Sequence, residues 1–136
     1  MKDIQYTERP TLDSAELNAL FAASWPKHRE RDFAPVHARS LTYIAAFAAS
    51  RLVGYVNVAT DGGLHAFLLD PTVHPAFRHR GIGLELVRRA TAAARSARAD
   101  WLHVDYDPAL APFYAAAGFR PSAAGLIRLE AHLDAV

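Results

Sequence analysis

The chain has 136 residues, 51% hydrophobic and 21% charged, with a net charge of +1, which suits one ordinary globular domain spanning residues 1–136. That balance excludes the strong positive field of a nucleic-acid or anionic-membrane binder. The absence of cysteine excludes disulfides, zinc–thiolate sites and a cysteine nucleophile. With no signal-peptide core and no apolar run near the ~18 to 20 residues of a membrane span, a cytoplasmic location is expected.

In chain order, residues 4–8 read as a short strand stopped by Pro10. Asp13 or Ser14 caps a helix to about Trp25, with Leu17, Leu20, Phe21 and Trp25 at helical spacing. Residues 26–35, rich in charge and histidine, read as a loop or a short broken helix. Residues 42–47 and 52–58 form a strand pair around residues 49–51. Asp61-Gly62-Gly63 signals a turn, so residues 64–69 pair antiparallel with the strand before them. The next helix places Ile82, Leu86, Ala90, Ala93 and Ala97 on one face. Residues 101–106 are apolar on both faces and read as a central strand, joined to its predecessor by a parallel crossover. Residues 110–117 form a short helix, with Pro112 in the first turn and Gly118 as the stop. Residues 126–130 read as a last strand. The fold class is α/β of the mixed α+β kind, a mostly antiparallel sheet with helices on both faces.

The run Val73-His74-Pro75-Ala76-Phe77-Arg78-His79-Arg80-Gly81-Ile82-Gly83 carries the chemistry. A strand end, a proline and two glycines precede a helix start, whose free N–H groups and partial positive charge suit a phosphate. Close packing alone also explains such a turn. Gly83 is followed by Leu84-Glu85 rather than Lys-Ser/Thr, so the turn is not a P-loop. Leu86 stands where a dinucleotide fingerprint needs its third glycine.

Arg78-His79-Arg80-Gly81-Ile82-Gly83 resembles the Arg/Gln-x-x-Gly-x-Gly/Ala motif of the GNAT superfamily of N-acetyltransferases. Val73-His74-Pro75 is similar to that family's lead-in, and Phe113-Tyr114-Ala115-Ala116-Ala117-Gly118-Phe119 to its Phe-Tyr-x-x-x-Gly-Phe signature. The resemblance is firm over about residues 63–129 and topological before them. It implies a GNAT fold whose sheet is splayed between two strands, acetyl-CoA as cosubstrate, and acetyl transfer to a primary amine.

Residue by residue, the resemblance implies that the backbone of His79, Arg80, Gly81, Ile82 and Gly83 holds the pyrophosphate, with Arg78 and Arg80 adding charge. Leu69, Thr72 and Val73 offer backbone groups to the pantetheine arm and the oxyanion. Phe113 belongs to the same cofactor-binding set. Tyr114 is the expected general acid for the leaving thiolate, or else a core aromatic. Asp70 is the first choice of base, since an amine with a reference pKa of about 10.4 must lose a proton to attack. It could equally cap its turn. Asp107 replaces the family's usual asparagine, so it either touches the pantetheine amide or caps the following helix. Leu110 replaces the motif's usual alanine.

Trp25, His28, Phe33, Tyr43, Asn57, His65 and His103 are candidates for the acceptor pocket; His65 also reads as a core residue or a second base. No histidine pair has a compact metal-ligand pattern, so no metal is expected. The arginines of the long helix read as a solvated face, with one or two reaching the CoA 3′-phosphate. The expected acceptor is a small-molecule amine, with no nucleic acid or membrane partner, and a homodimer is compatible with the reading. The alternatives are acetylation of a protein N-terminus or lysine, and a non-catalytic acyl-CoA-binding module. A toxin-like enzyme acting on aminoacyl-tRNA would be expected to carry a more basic surface.

Overall fold

The structure, a computed structural model, describes residues 3–130. The chain divides into two compact units, Met1–Val104 and Asp105–Val136.

The first unit is a five-stranded sheet in the order β1-β2-β3-β4-β5, made of Ile4–Glu8, Thr42–Ala48, Arg51–Thr60, His65–Val73 and Trp101–His103. The first three pairings are antiparallel, with short turns joining β2 to β3 and β3 to β4 while residues 9–41 return the chain from β1 to β2, and β4 pairs with β5 in parallel through the intervening helix. Helix α1, Ser14–Ser24, starts where the Asp13 side chain accepts the Glu16 N–H at 2.8 Å. Its Leu17, Leu20 and Phe21 pack with Phe33, Ala45, Leu52 and Tyr55 on one face of the sheet. Helix α3, Ile82–Ser96, covers the other face. Its buried stripe runs Ile82, Leu86, Ala90 and Ala94 at four-residue spacing, widened by Val87 beside Leu86, down one face of a 3.6-residue helix. Among the described residues no helix is long and apolar enough to cross a membrane.

Gly54 sets the distance between sheet and helix. A Cβ there would stand 3.0 Å from Leu86 Cδ1 and 3.1 Å from both Ala46 Cβ and Ile82 Cγ2. Gly54→Val overpacks this contact, at a cost of about 3 kcal/mol and a fall in Tm of about 10 °C. Thermal denaturation reads the shift, and an unchanged Tm would show that α3 can ride outward freely.

Three sequence expectations need correction. Helix α2, Ala34–Arg39, extends the region read as a loop, with Pro35 in its first turn, where a missing N–H costs nothing. Strand β4 itself ends at Val73, where the sequence places a strand end before Pro75. Strand β5 is shorter than expected and lies at the sheet edge rather than its centre, with Trp101 57% exposed. Its two apolar faces do not buy it a second neighbour among the described strands. Residues 126–130 form no strand, and Leu126, Ile127 and Leu129 stand exposed.

The second unit holds a 3₁₀ turn, Pro108–Leu110, leading into α4, Ala111–Ala116. Pro112 lies in the first turn of α4, and Gly118 follows it at φ 102°, the left-handed stop expected there.

Candidate active site

The strand that becomes the site is β4. After Val73 the chain leaves the sheet, and His74 Nδ1 accepts the Ala76 N–H at 3.1 Å to open a 3₁₀ turn, Pro75–Phe77. Two left-handed residues follow, His79 at φ 65° and Gly81 at φ 82°, and they curl the chain into the start of α3. No side chain caps that start. The first N–H with a helical partner is that of Glu85, bonded to Gly81 O at 3.1 Å, which leaves those of Ile82, Gly83 and Leu84 without a partner among the described residues. A Cβ on Gly81 would meet nothing within 4 Å. Its left-handed φ demands glycine, and the space beside it is free.

Charge reinforces this geometry. Arg51 and Arg80 lie over the Phe77 ring at 5.6 and 5.0 Å, and Arg51 stands 3.1 Å from His74 Nε2. Among the described residues Arg51, Arg78 and Arg80 have no carboxylate partner. Burial holds His74 below the usual histidine range, and the Arg51 and Arg78 guanidinium groups lower it further. The turn is therefore electropositive, built to receive an anion. Sequence reading missed Arg51, which the β2–β3 turn delivers from more than twenty residues upstream.

Within β4, Tyr55 pairs with Thr72 but Asn57 pairs with Leu69, so β4 carries one residue more than β3 across this stretch. The extra residue makes a bulge at Asp70-Pro71, where Asp70 takes φ 53° and proline has no N–H to give. Only residues 65–67 of β4 pair with β5, so the edge of residues 68–73 on that side is free of strand partners among the described residues. This is the splay, and an extended arm can add there as a strand would. Trp25 Nε1–H donates to Thr72 Oγ1 at 3.2 Å, and Thr72 Oγ1–H donates to Asp70 O at 2.9 Å. Trp25 thus braces the bulge from the end of α1.

The Asp70 carboxylate is exposed and meets Arg31 at 3.3 Å. A surface pair of this kind contributes at most about 1 kcal/mol, so it parts readily. Arg31 is held by Asn18, which sequence reading passed over. Asn18 is buried in α1; its Nδ2 donates to Ser14 O and Arg31 O, both at 2.8 Å, while its Oδ1 accepts the Arg31 N–H at 3.1 Å and lies 2.7 Å from His28 Nε2. A carboxamide has donors and an acceptor for this task, and no apolar residue could replace it.

The acceptor candidates separate in space. The Phe33 ring is spent in the core against Phe21, and its backbone N–H is fixed by Ser14 Oγ at 2.9 Å. Tyr43 stacks on His37 with ring centroids 3.8 Å apart, and His37 Nε2 is 2.8 Å from the Tyr55 hydroxyl. Burial, then Arg9, holds His37 below the usual histidine range, while burial, then the Asp70 charge, pushes the Tyr55 phenol up. Asn57, 2% exposed, lines a groove with Val36, Arg39, Ser40 and Leu69 beside the bulge. His65 lies at the other end of β4, its Nδ1 2.7 Å from His103 Nε2, with Phe67 stacked on His103. Among the described residues no three histidine, aspartate or glutamate side chains gather as a metal site would require.

In the second unit, Asp107 uses its carboxylate to accept the Ala109 N–H at 2.9 Å, the capping geometry. Tyr114, on α4, is 4% exposed and stacks on Tyr106 at 4.6 Å, with Phe113 and Phe119 edge-on at 4.9 and 5.7 Å. Its hydroxyl has no hydrogen-bond partner among the described residues. Burial, followed by the charges of Asp105 and Tyr106, pushes this phenol up, so it keeps its proton throughout the neutral range.

The model of the acetyltransferase (GNAT) family matches residues 10–119. A mycothiol acetyltransferase of Mycobacterium avium is 36% identical over 78 residues, covering 57% of this chain. The match takes in only 24% of that protein, so the chain spans about a quarter of its length. A GNAT family acetyltransferase from Streptococcus pneumoniae superposes with a TM-score of 0.81 at 19% identity, covering 96% of this chain and 100% of that one. A GNAT family acetyltransferase from Brucella melitensis, in complex with acetyl-CoA, superposes at 0.71 and 22% identity, covering 89% of this chain and 85% of the other. At these identities the two structures speak for the fold.

Proposed function

The chain belongs to the acetyltransferase (GNAT) family, and from that premise we propose that residues 1–136 act as one catalytic domain, moving the acetyl group of acetyl-CoA to the primary amine of a small molecule. The observation that carries the reading is the uncapped start of α3. Among the described residues, the open N–H groups of Ile82, Gly83 and Leu84, the free space beside Gly81 and three guanidinium groups without carboxylate partners suit a pyrophosphate. The family match spans both units, which supports treating them as one domain.

In this reading the pantetheine arm runs along the open edge of residues 68–73, against the backbone of Leu69, Thr72 and Val73. The neutral amine attacks the thioester carbonyl, and a C–N bond forms as the C–S bond breaks. A backbone N–H at the bulge faces the oxyanion. The nitrogen loses its proton to Asp70 once Arg31 has parted from it. The departing sulfur takes a proton from the Tyr114 hydroxyl, which recovers one from solvent. The products are the N-acetyl amide and the free thiol.

Thiol release from acetyl-CoA in the presence of a panel of amines, with binding of acetyl-CoA measured by calorimetry, tests this. Binding with amine-dependent release is expected. No binding of acetyl-CoA by the wild-type chain overturns the reading.

A further inference from the structure

The groove beside the β4 bulge has a chemistry of its own. Its apolar wall comes from Val36 and Leu69, its polar floor from Ser40 and Asn57, and its cation from Arg39; among the described residues no carboxylate lines it. Arg39 sits in the last turn of α2, exposed, with its guanidinium 3.4 Å from Pro35 O and no acidic partner among the described residues. The acid nearest along the chain to the groove residue Leu69 is Asp70, and that carboxylate is already matched by Arg31.

Asn57 supplies a second donor. Ser40 Oγ lies 2.5 Å from Asn57 Oδ1 and 2.9 Å from Val36 O, and one hydroxyl proton cannot serve both. The Asn57 Oδ1 that faces the hydroxyl can only accept, so Ser40 donates to the amide oxygen. The Asn57 N–H₂ is then left without a partner among the described residues, in a side chain that is almost wholly buried. A buried donor without an acceptor is a cost the fold carries unless a ligand relieves it. A guanidinium and an amide N–H₂, with no competing acid, present donors only.

We propose that the acetyl acceptor carries a carboxylate as well as its amine, and that Arg39 and Asn57 bind that carboxylate: the substrate is an amino acid or a similarly small amino carboxylate. This rests on the acetyltransferase reading above. A guanidinium binds a carboxylate through two parallel hydrogen bonds, which fixes the orientation of a small molecule as well as its charge. Leu69 pairs with Asn57 and immediately precedes the bulge, so a molecule held by its carboxylate here has its amine close to the strand assigned to the thioester. Polyamines and other polycations find no carboxylate among the described residues that line this groove.

The test is turnover of matched acceptors: an amino acid, its carboxamide, and the amine that lacks the carboxylate. The wild type is expected to favour the amino acid in kcat/KM by tenfold or more over both. Arg39→Ala is expected to bring that ratio close to one, Arg39→Lys to keep part of it, and Arg39→Glu to reverse it. Since Arg39 is exposed, these variants should keep the wild-type melting curve. Acetyl-CoA binding without a carboxylate preference, with a preference that Arg39→Ala leaves intact, or with no amino carboxylate turned over, overturns this proposal while the acetyltransferase reading stands. Failure of acetyl-CoA itself to bind overturns both.

Discussion

Tyr114→Phe is expected to lower kcat about 100-fold, the scale of a lost general acid, with KM for acetyl-CoA little changed. The substitution removes one oxygen and nothing else from the ring stack with Tyr106, Phe113 and Phe119. The hydroxyl has no protein partner to lose among the described residues, so the fold should not suffer, and Tm should hold or rise slightly. That separation is what makes the variant informative. A tyrosine serving only as packing would leave kcat where it was, because phenylalanine packs as well. The raised pKa gives the sign of the pH dependence: the acid form is the protonated phenol, and burial moves its loss to more alkaline pH. The acid limb of the rate profile therefore belongs to a group other than Tyr114. Thiol release against pH, in wild type and Tyr114→Phe, checks both statements. An unchanged kcat removes Tyr114 from the role proposed for it.

What the sequence made legible follows from the range of the forces involved. Helix α3 was readable because its signals are local: apolar residues at three-to-four spacing, and a glycine where φ must be positive. The same holds for α1 with its Asp13 cap and for the turn at Asp61-Gly62-Gly63. Helix α2 was hidden by reading Pro35 as a loop residue, although the rule that admitted Pro112 to a first turn admits Pro35 as well. The bulge at Asp70 could not be read, because it exists only as a mismatch between two strands. Strand β5 shows the limit of hydrophobic pattern: Trp101 and Leu102 can be apolar whether or not a second neighbour covers them.

The site divides in the same way. The backbone proposed to bind the anion is contiguous in sequence, from His79 to Gly83, and so is legible before any fold, although Arg51 joins that turn from far upstream. The proposed acceptor half is assembled from distant segments. Asn18 reaches across thirteen residues to hold Arg31, Arg31 reaches across thirty-nine to Asp70, and Arg39 meets Asn57 only as two linings of one groove. None of these partners has a local motif. Asn57 and Trp25 were nominated on residue type alone, whereas Arg39, Arg31 and Arg51 were not singled out, because an arginine on a soluble domain is usually just a solvated charge.

Gly81→Val is expected to weaken acetyl-CoA binding about 30-fold. Gly81 sits at φ 82° at the head of α3, a region that costs other L-residues about 1–2 kcal/mol and β-branched residues most. A valine has two ways out, and both harm the cradle. If the turn keeps its shape, the new side chain stands in the open space beside the helix start, where a Cβ meets no protein atom and where the pyrophosphate is proposed to lie. If the turn relaxes to negative φ, the N–H groups of Ile82, Gly83 and Leu84 swing away from their common focus. About 2 kcal/mol in either case corresponds to the stated 30-fold change in Kd. Gly54 offers the contrast. There the added carbon meets Leu86, Ala46 and Ile82, so substitution acts on packing and shows in Tm. At Gly81 calorimetry with acetyl-CoA should register the larger change, with Gly81→Ala intermediate, since its side chain is smaller but its φ no less strained. A Gly81→Val chain that melts early yet binds acetyl-CoA with wild-type affinity would mean that this glycine serves the turn alone, and the anion site would have to be sought elsewhere.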